Sequence, residues 1–247
     1  MGRPKRDLYY CERTGDLKRL YALNSELATY ELLTRAKSFR DITWDNRAGY
    51  PFDIIHECSD TVFEVWTPQN IAPQRELFYM VKNTIEAIPL GVRASCLVSP
   101  KGLSIKQERL RSKTVKRFAE MIIDIEPYQK SVANRIMQGV ARRHARFIKH
   151  GVEGVLVVDV LSLYVANPRT LAQELQRRLD TEGGKYKHLK GILLEVGIPS
   201  RAKLETVRKF IVLPNPHSPN PISFEDFDKT SLRTPPNIPQ LVSIPVT

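Results

Sequence analysis

Two acidic residues on a predicted β-hairpin are the side chains of this sequence best suited to chemistry. Asp53 and Glu64 are separated by ten residues, which suits two short antiparallel strands joined by a tight turn. Alternate residues of a strand share a face, so Glu64 points the same way as Val62 and Trp66. Converging carboxylates are costly unless they bind a cation or accept hydrogen bonds. Hard cations such as Mg²⁺ accept such oxygen ligands readily.

Glu31 is a third candidate, on the helix that precedes the hairpin. It follows Leu27 by four residues and Ala28 by three, which places it near the apolar stripe of a helix predicted over residues 17–37. Each carboxylate also has a plainer interpretation. Glu64 fits a rim residue of a half-exposed sheet face, Asp53 a turn carboxylate, and Glu31 a residue on the helix surface.

The order of predicted elements resembles the PD-(D/E)xK, or restriction-endonuclease-like, nuclease superfamily. That order is a helix with an inward Glu, a hairpin with Asp on one strand and Glu on the next, then a helix and a strand. The matching segments are Tyr50-Pro51-Phe52-Asp53 and Glu64-Val65-Trp66, and the resemblance covers roughly residues 17–100. It implies that Asp53 and Glu64 hold Mg²⁺, that Glu31 assists, and that metal-activated water hydrolyses a phosphodiester.

The sequence departs from that pattern at the position of the catalytic lysine, which Trp66 occupies. An indole offers bulk and one N–H donor but no charge. Gln69 could orient a water molecule by hydrogen bonding, or a basic residue of the next helix, Arg75 or Lys82, could reach back into the site. Two hypotheses stay open: a metal-dependent endo- or exonuclease, and an inactive nuclease-like fold that serves as a DNA- or RNA-binding or assembly subunit.

The positive charge of the chain is concentrated in one stretch. The formal net charge is +11, and residues 101–150, predicted to form one or two helices divided at Pro127, contribute +9 of it. Such a basic segment attracts polyanions through phosphate contacts and counterion release, whereas the plainer interpretation is a solvated helix face. The predicted nucleic-acid contacts are Arg135, Arg142, Arg143, Arg146, Lys149, Lys113 and Lys116.

Strand and helix patterns alternate along the chain and predict an α/β fold with a mixed central sheet flanked by helices. Strands are predicted near residues 39–44, 52–56, 61–67, 92–98, 154–160, 191–196 and 210–213, with a helix over 169–179. One α/β domain is expected over residues 1–213. Residues 214–247 contain eight prolines and are predicted to form an extended tail. Asp159 and Glu195, each ending an apolar run, are expected to cap strand ends, with a second ligand site as the alternative.

Location and partners follow from what the sequence contains. No run of about 18 apolar residues stands in it, and the basic start has no apolar stretch after it, so a cytoplasmic location without a membrane is expected. The predicted partner is nucleic acid, with DNA first. A homodimer or a protein partner for the tail is the further expectation. A third hypothesis is a structural subunit whose basic segment and tail dock on an acidic protein.

Overall fold

The chain folds around two β-sheets. The computed structural model describes residues 17–39, 41–44, 51–68, 93–99, 102–111, 114–123, 126–160, 163, 168–199, 206–227 and 241–243. The described helices are α1 (Leu17–Arg35), α2 (Glu126–His150) and α3 (Pro168–Glu182). The strands are β1 (Ile42–Trp44), β2 (Ile54–His56), β3 (Thr61–Trp66), β4 (Arg93–Ser99), β5 (Gly102–Arg111), β6 (Thr114–Ile123), β7 (Glu153–Asp159), β8 (Leu189–Pro199), β9 (Thr206–Pro214) and β10 (Leu241–Ser243).

The larger sheet is mixed, which confirms the predicted α/β class. Its strand order is β1-β2-β3-β7-β8-β9-β10 among the described residues. Strand β7 pairs in parallel with β3 on one side and with β8 on the other. The pairs β1–β2, β2–β3, β8–β9 and β9–β10 are antiparallel. Parallel neighbours need a long connection, and α2 precedes β7 just as α3 precedes β8. The antiparallel pairing of β2 with β3 confirms the predicted hairpin.

Helices cover both faces of the larger sheet. Helix α1 packs on one face, where Val155 and Val157 of β7 are completely buried. Helices α2 and α3 pack on the other face, against Leu156 and Val158 of the same strand. Burial on both faces explains why β7 reads as one continuous apolar run. Within the described part of the chain, no helix combines the length and apolar character needed to cross a bilayer.

The helical prediction over residues 101–150 is wrong in its first half. Strands β5 and β6 occupy most of residues 102–123 and form, with β4, a separate three-stranded antiparallel sheet. Leu103 and Ile105 alternate with polar residues, a period-2 pattern that the abundant basic residues obscured. Pro127 therefore does not divide a helix. It is the second residue of α2, in the first turn, where its missing N–H removes no helical hydrogen bond.

The predicted extended tail from residue 214 is not confirmed by its described part. Residues 216, 217, 219–221 and 225 are exposed, but Ile222 and Phe227, each 1% exposed, anchor the segment in the core. Asn215 is completely buried, and its side-chain amide donates to the backbone carbonyls of Gly183, Tyr186 and Leu189. Prolines exclude a helix here, but they do not prevent an irregular backbone from being buried when a side chain bonds to it.

Candidate functional site

The hairpin brings Asp53 close to Glu64. Ile55 pairs with Val62 and Ile54 with Phe63, and Asp53 directly precedes β2. The charge of Asp53 acts on Glu64 and on Arg143 of α2, so the two carboxylates lie together on the side of the sheet that α2 covers. Asp53 is held from its own hairpin, since its Oδ2 accepts a hydrogen bond of 2.8 Å from the Val65 backbone N–H.

The two carboxylate oxygens of Glu64 have different surroundings. Glu64 is only 6% exposed. Its Oε1 lies 2.6 Å from Nη1 of Arg146 and 3.6 Å from Nε of Arg143. Its Oε2 is buried and has no hydrogen-bond partner in the described part of the chain. Glu64 thus has one oxygen fixed by positive charge and one buried oxygen that no described group satisfies.

The electrostatics of the hairpin favour a positive charge or a proton at Glu64. Burial, and then the nearby charge of Asp53, raise the pKa of Glu64 from 4.5 to about 7, although Arg146 and Arg143 oppose this increase. Two carboxylates in one poorly solvated place disfavour the doubly ionised state. A cation bound at Oε2 would relieve both the desolvation and the repulsion.

The packing of α2 on the sheet places Arg143 and Arg146 beside the hairpin. Val132, Ile136, Val140 and Phe147 form the stripe by which α2 lies on the sheet, as the helical spacing predicts. Residues beside that stripe face the hairpin. Arg146 is one of them. Its Nη2 donates to the Pro51 carbonyl, and its guanidinium lies 5.6 Å from the centre of the Phe52 ring.

Arg143 occupies the neighbouring position of α2, over the ring of Trp66. Its Cζ is 4.7 Å from the centre of that ring. Trp66 in turn lies against Gly139, where an added Cβ would come within 2.6 Å of the indole. Sequence reasoning missed this arrangement and named Arg75 and Lys82, both outside the described residues. The spacing of Gly139, Arg143 and Arg146 at i, i+4 and i+7 on one helix was the signal that could have revealed it.

The remaining predicted site residues do not join the pair. Glu31 lies on α1, which covers the opposite face of the sheet, and its carboxylate forms an exposed ion pair with Arg35. Its prediction failed because a position beside an apolar stripe does not specify which sheet face the helix covers. Gln69 lies outside the described residues.

The predicted nucleic-acid contacts divide into two groups. Arg142 and Lys149 are exposed on α2, and Arg135 is half-buried and donates to Gln138. Arg143 and Arg146 turn toward Glu64 instead of presenting their charge on the outer face of α2. Lys116 pairs with Arg109 in the register of β5 and β6, and Lys113 lies outside the described residues.

Asp53 and Glu64 fit a Mg²⁺ ion held by a small number of protein ligands. Among the described residues no group of three His, Cys, Asp or Glu side chains is arranged to hold a metal. Mg²⁺ does not require one, because it commonly keeps several waters and binds one or two carboxylates together with substrate phosphates. The unsatisfied Oε2 of Glu64, beside Asp53, is the observation that supports the fit.

A second buried polar group lies under α1. Ser25 donates to Oε2 of Glu195 at 2.5 Å, and Asp159 pairs with Glu195 in the register of β7 and β8. Glu195 is completely buried and Asp159 is 3% exposed. The expectation of solvent-facing caps at strand ends is therefore wrong. Strand β8 continues past Glu195 to Pro199, so the end of the apolar run was not the end of the strand.

Comparison with known proteins finds no similar protein: no family model, no curated protein and no solved structure matches this chain.

Proposed function

We propose that this protein is a nucleic-acid-binding hydrolase of the restriction-endonuclease-like type, which cleaves phosphodiester bonds with Mg²⁺ at Asp53 and Glu64. The observation that carries the proposal is the buried Oε2 of Glu64, which lies near Asp53 and has no hydrogen-bond partner among the described residues. An unsatisfied buried carboxylate oxygen is costly in a purely structural role, and a bound cation removes that cost.

The residues around the pair have separate roles in the proposed reaction. Asp53 and Oε2 of Glu64 would hold Mg²⁺, which supplies an activated water and stabilises the charge that develops on the phosphate. Arg146 orients the Glu64 carboxylate through Oε1, so that the other oxygen keeps its direction. The Val65 N–H orients Asp53 in the same way.

The order of the elements supports the same proposal. Helix α1 precedes the three-stranded meander β1-β2-β3, and α2 leads into β7, which runs parallel beside β3. The acidic pair lies on β3 and at the start of β2, where the resemblance expects it. Because Glu31 lies apart from the pair, Asp53 and Glu64 are the proposed metal ligands among the described residues.

The hairpin of β5 and β6 supports nucleic acid as the substrate. Arg109 pairs directly with Lys116 across the two strands. A segment rich in basic residues attracts polyanions through phosphate contacts and counterion release. In the sequence, the segment from Arg109 to Arg117 contains five basic residues and no acidic one.

A second candidate function is non-catalytic binding of nucleic acid. The 2.6 Å ion pair between Arg146 and Glu64 favours it, because a carboxylate neutralised by arginine attracts a metal less strongly. In that case the two arginines replace the metal as the positive charge beside Asp53 and Glu64, and the basic hairpin binds DNA or RNA without cleavage.

Cleavage of plasmid DNA and of labelled single- and double-stranded oligonucleotides tests the proposal. Wild type should cleave in Mg²⁺ and not in EDTA, and Asp53→Asn and Glu64→Gln should each lower the rate at least about a hundredfold. Glu31→Gln is the matched control, because Glu31 is an acidic residue on the opposite face, and it should cleave like wild type.

The other outcomes separate the two candidates. Binding that weakens steeply with salt, together with no cleavage by wild type, would favour the non-catalytic candidate. Cleavage that persists in both Asp53→Asn and Glu64→Gln would remove this pair from the reaction.

A further inference from the structure

We propose that Arg143, stacked on Trp66, supplies beside the carboxylate pair the positive charge that the superfamily's pattern places on a lysine at position 66. This inference rests on the proposed hydrolase function. It assigns Arg143 to the substrate, through its guanidinium, and assigns Trp66 and Gly139 to the positioning of that guanidinium.

Arg143 lies where a cation at position 66 would act. Its guanidinium is 4.7 Å from the centre of the Trp66 ring, and its Nε is 3.6 Å from Oε1 of Glu64. The side chain is 16% exposed. Position 66 of β3 carries no charge, and the Arg143 guanidinium of α2 places a positive charge beside it.

The donors of Arg143 are incompletely used, which distinguishes it from Arg146. Both Nη atoms of Arg146 are engaged, one by Glu64 and one by the Pro51 carbonyl. The Nε of Arg143 is buried and has no hydrogen-bond partner in the described part of the chain, and its Nη1 makes one long bond of 3.4 Å to the Gly139 carbonyl. A buried, unsatisfied guanidinium donor beside two carboxylates is suited to a phosphate oxygen of the substrate.

Trp66 and Gly139 form the seat of this guanidinium. The indole lies directly against Gly139, and a Cβ at that position would collide with the ring at 2.6 Å. A guanidinium over an indole gains cation–π attraction and loses side-chain freedom. Trp66 therefore positions the Arg143 guanidinium, although the indole itself is uncharged.

The identity of the cation has a chemical consequence. Burial lowers the pKa of Arg143, but an arginine remains protonated throughout the neutral range. Arg143 can therefore stabilise negative charge on the phosphate, and it cannot act as a general base. A lysine in its place could lose its proton in a buried site, so the pH dependence of cleavage separates the two residues.

Single-turnover cleavage by four variants tests the inference: Arg143→Gln, Arg143→Lys, Trp66→Phe and the double variant Trp66→Lys/Arg143→Gln. Arg143→Gln should lower the cleavage rate constant about a hundredfold, the range found when one charge-stabilising donor is removed. Arg143→Lys should recover part of the loss, with a rate that falls at alkaline pH. The double variant should recover most of it, because the charge returns to β3. Trp66→Phe should cost only a few-fold.

Binding and folding measurements exclude a merely structural role. Mn²⁺ affinity, measured by calorimetry, should change less than about threefold in Arg143→Gln, since the metal ligands remain. Lys130→Gln is the control on the same helix, because Lys130 is exposed and paired with Glu126. Circular dichroism melting confirms that each variant is folded.

Three results would overturn the inference. Undiminished cleavage by Arg143→Gln would overturn it while leaving the hydrolase function intact. A parallel loss of Mn²⁺ affinity and rate, with no recovery in the double variant, would reduce Arg143 to a structural partner of Glu64. Failure of wild type to cleave any of the nucleic acids would overturn the proposed function and this inference together.

Discussion

Two glutamates are buried on opposite faces of the larger sheet, and their partners differ in kind. Glu195 on β8 faces α1 and accepts a hydrogen bond of 2.5 Å from a hydroxyl, that of Ser25. Glu64 on β3 faces α2, meets two guanidinium groups at one oxygen and has no partner among the described residues at the other. A hydroxyl of α1 therefore binds Glu195, next to Asp159 on the neighbouring strand, whereas Glu64 lies among two arginines and Asp53.

The two glutamates of this sheet differ in role: Glu195 binds a helix, and Glu64 belongs to the proposed site. The Ser25–Glu195 bond joins α1 to the centre of the sheet across 170 residues of sequence and contributes to holding that helix. At Glu64 the hairpin and α2 bring four charged groups together and leave donor and acceptor atoms unsatisfied. Unsatisfied buried groups in a folded protein require a reason, and ligand binding is the one that we propose.

The largest expected effect is on the Glu195 side of the comparison. Glu195→Ala should lower the free energy of unfolding by about 3–4 kcal/mol, because it creates a cavity and leaves the buried Ser25 hydroxyl without its acceptor. Urea denaturation gives the value, with Glu225→Ala, at an exposed position, as the control. A loss below about 1 kcal/mol would contradict a role for Glu195 in holding α1.

The next effect is the pH dependence of stability at Glu64. Burial raises the pKa of Glu64 from its ordinary value of 4.5 to about 7 in the folded protein, so the folded state binds this proton more tightly than the unfolded state. The resulting stabilisation is complete below pH 4.5 and is lost as pH rises through 7. Its size is up to about 3 kcal/mol. Urea denaturation from pH 4 to 8 should therefore show this decline in wild type and a flatter profile in Glu64→Gln. Parallel profiles would contradict it.

Mg²⁺ should distinguish the two faces directly. At a hundred times its dissociation constant, Mg²⁺ should stabilise wild type by about 2.7 kcal/mol. The effect should be larger above pH 7, because the metal requires the ionised form of Glu64. Thermal unfolding at constant ionic strength measures it. Asp53→Asn and Glu64→Gln should abolish the stabilisation, and Glu195→Gln should retain it. Stabilisation that survives in Glu64→Gln would place the metal elsewhere.

The smallest expected effect on the free energy of unfolding is that of removing the Ser25 hydroxyl. Ser25→Ala should cost about 1–2 kcal/mol, because it removes one hydrogen bond to a buried carboxylate. Its response to Mg²⁺ should equal that of wild type. A loss of the Mg²⁺ response in Ser25→Ala would show that the two faces are coupled.

Local pattern was sufficient where neighbouring residues alone decide structure. The helical spacing of α1, the hairpin of β2 and β3 and the apolar run of β7 were all readable in the sequence. It was insufficient for β5 and β6, where basic residues obscured a period of two, and for residues 214–227, where burial depends on the distant carbonyls bonded by Asn215. The prediction that Glu31 joins the pair was wrong for a related reason, since the sheet face that a helix covers is decided by long-range packing.

The sequence by itself determined that Asp53 and Glu64 belong to one hairpin, and that Glu64 shares a strand face with Val62 and Trp66, because hairpin spacing and the period of a strand are local properties. It also determined that position 66 carries no charge. Only the tertiary structure decided that Arg143 and Arg146 face this pair, since Arg146 lies 82 residues from Glu64 and the rotation of α2 is set by its apolar stripe. Tertiary packing, which couples distant segments through burial, thus brings a cation to the site where the strand itself provides none.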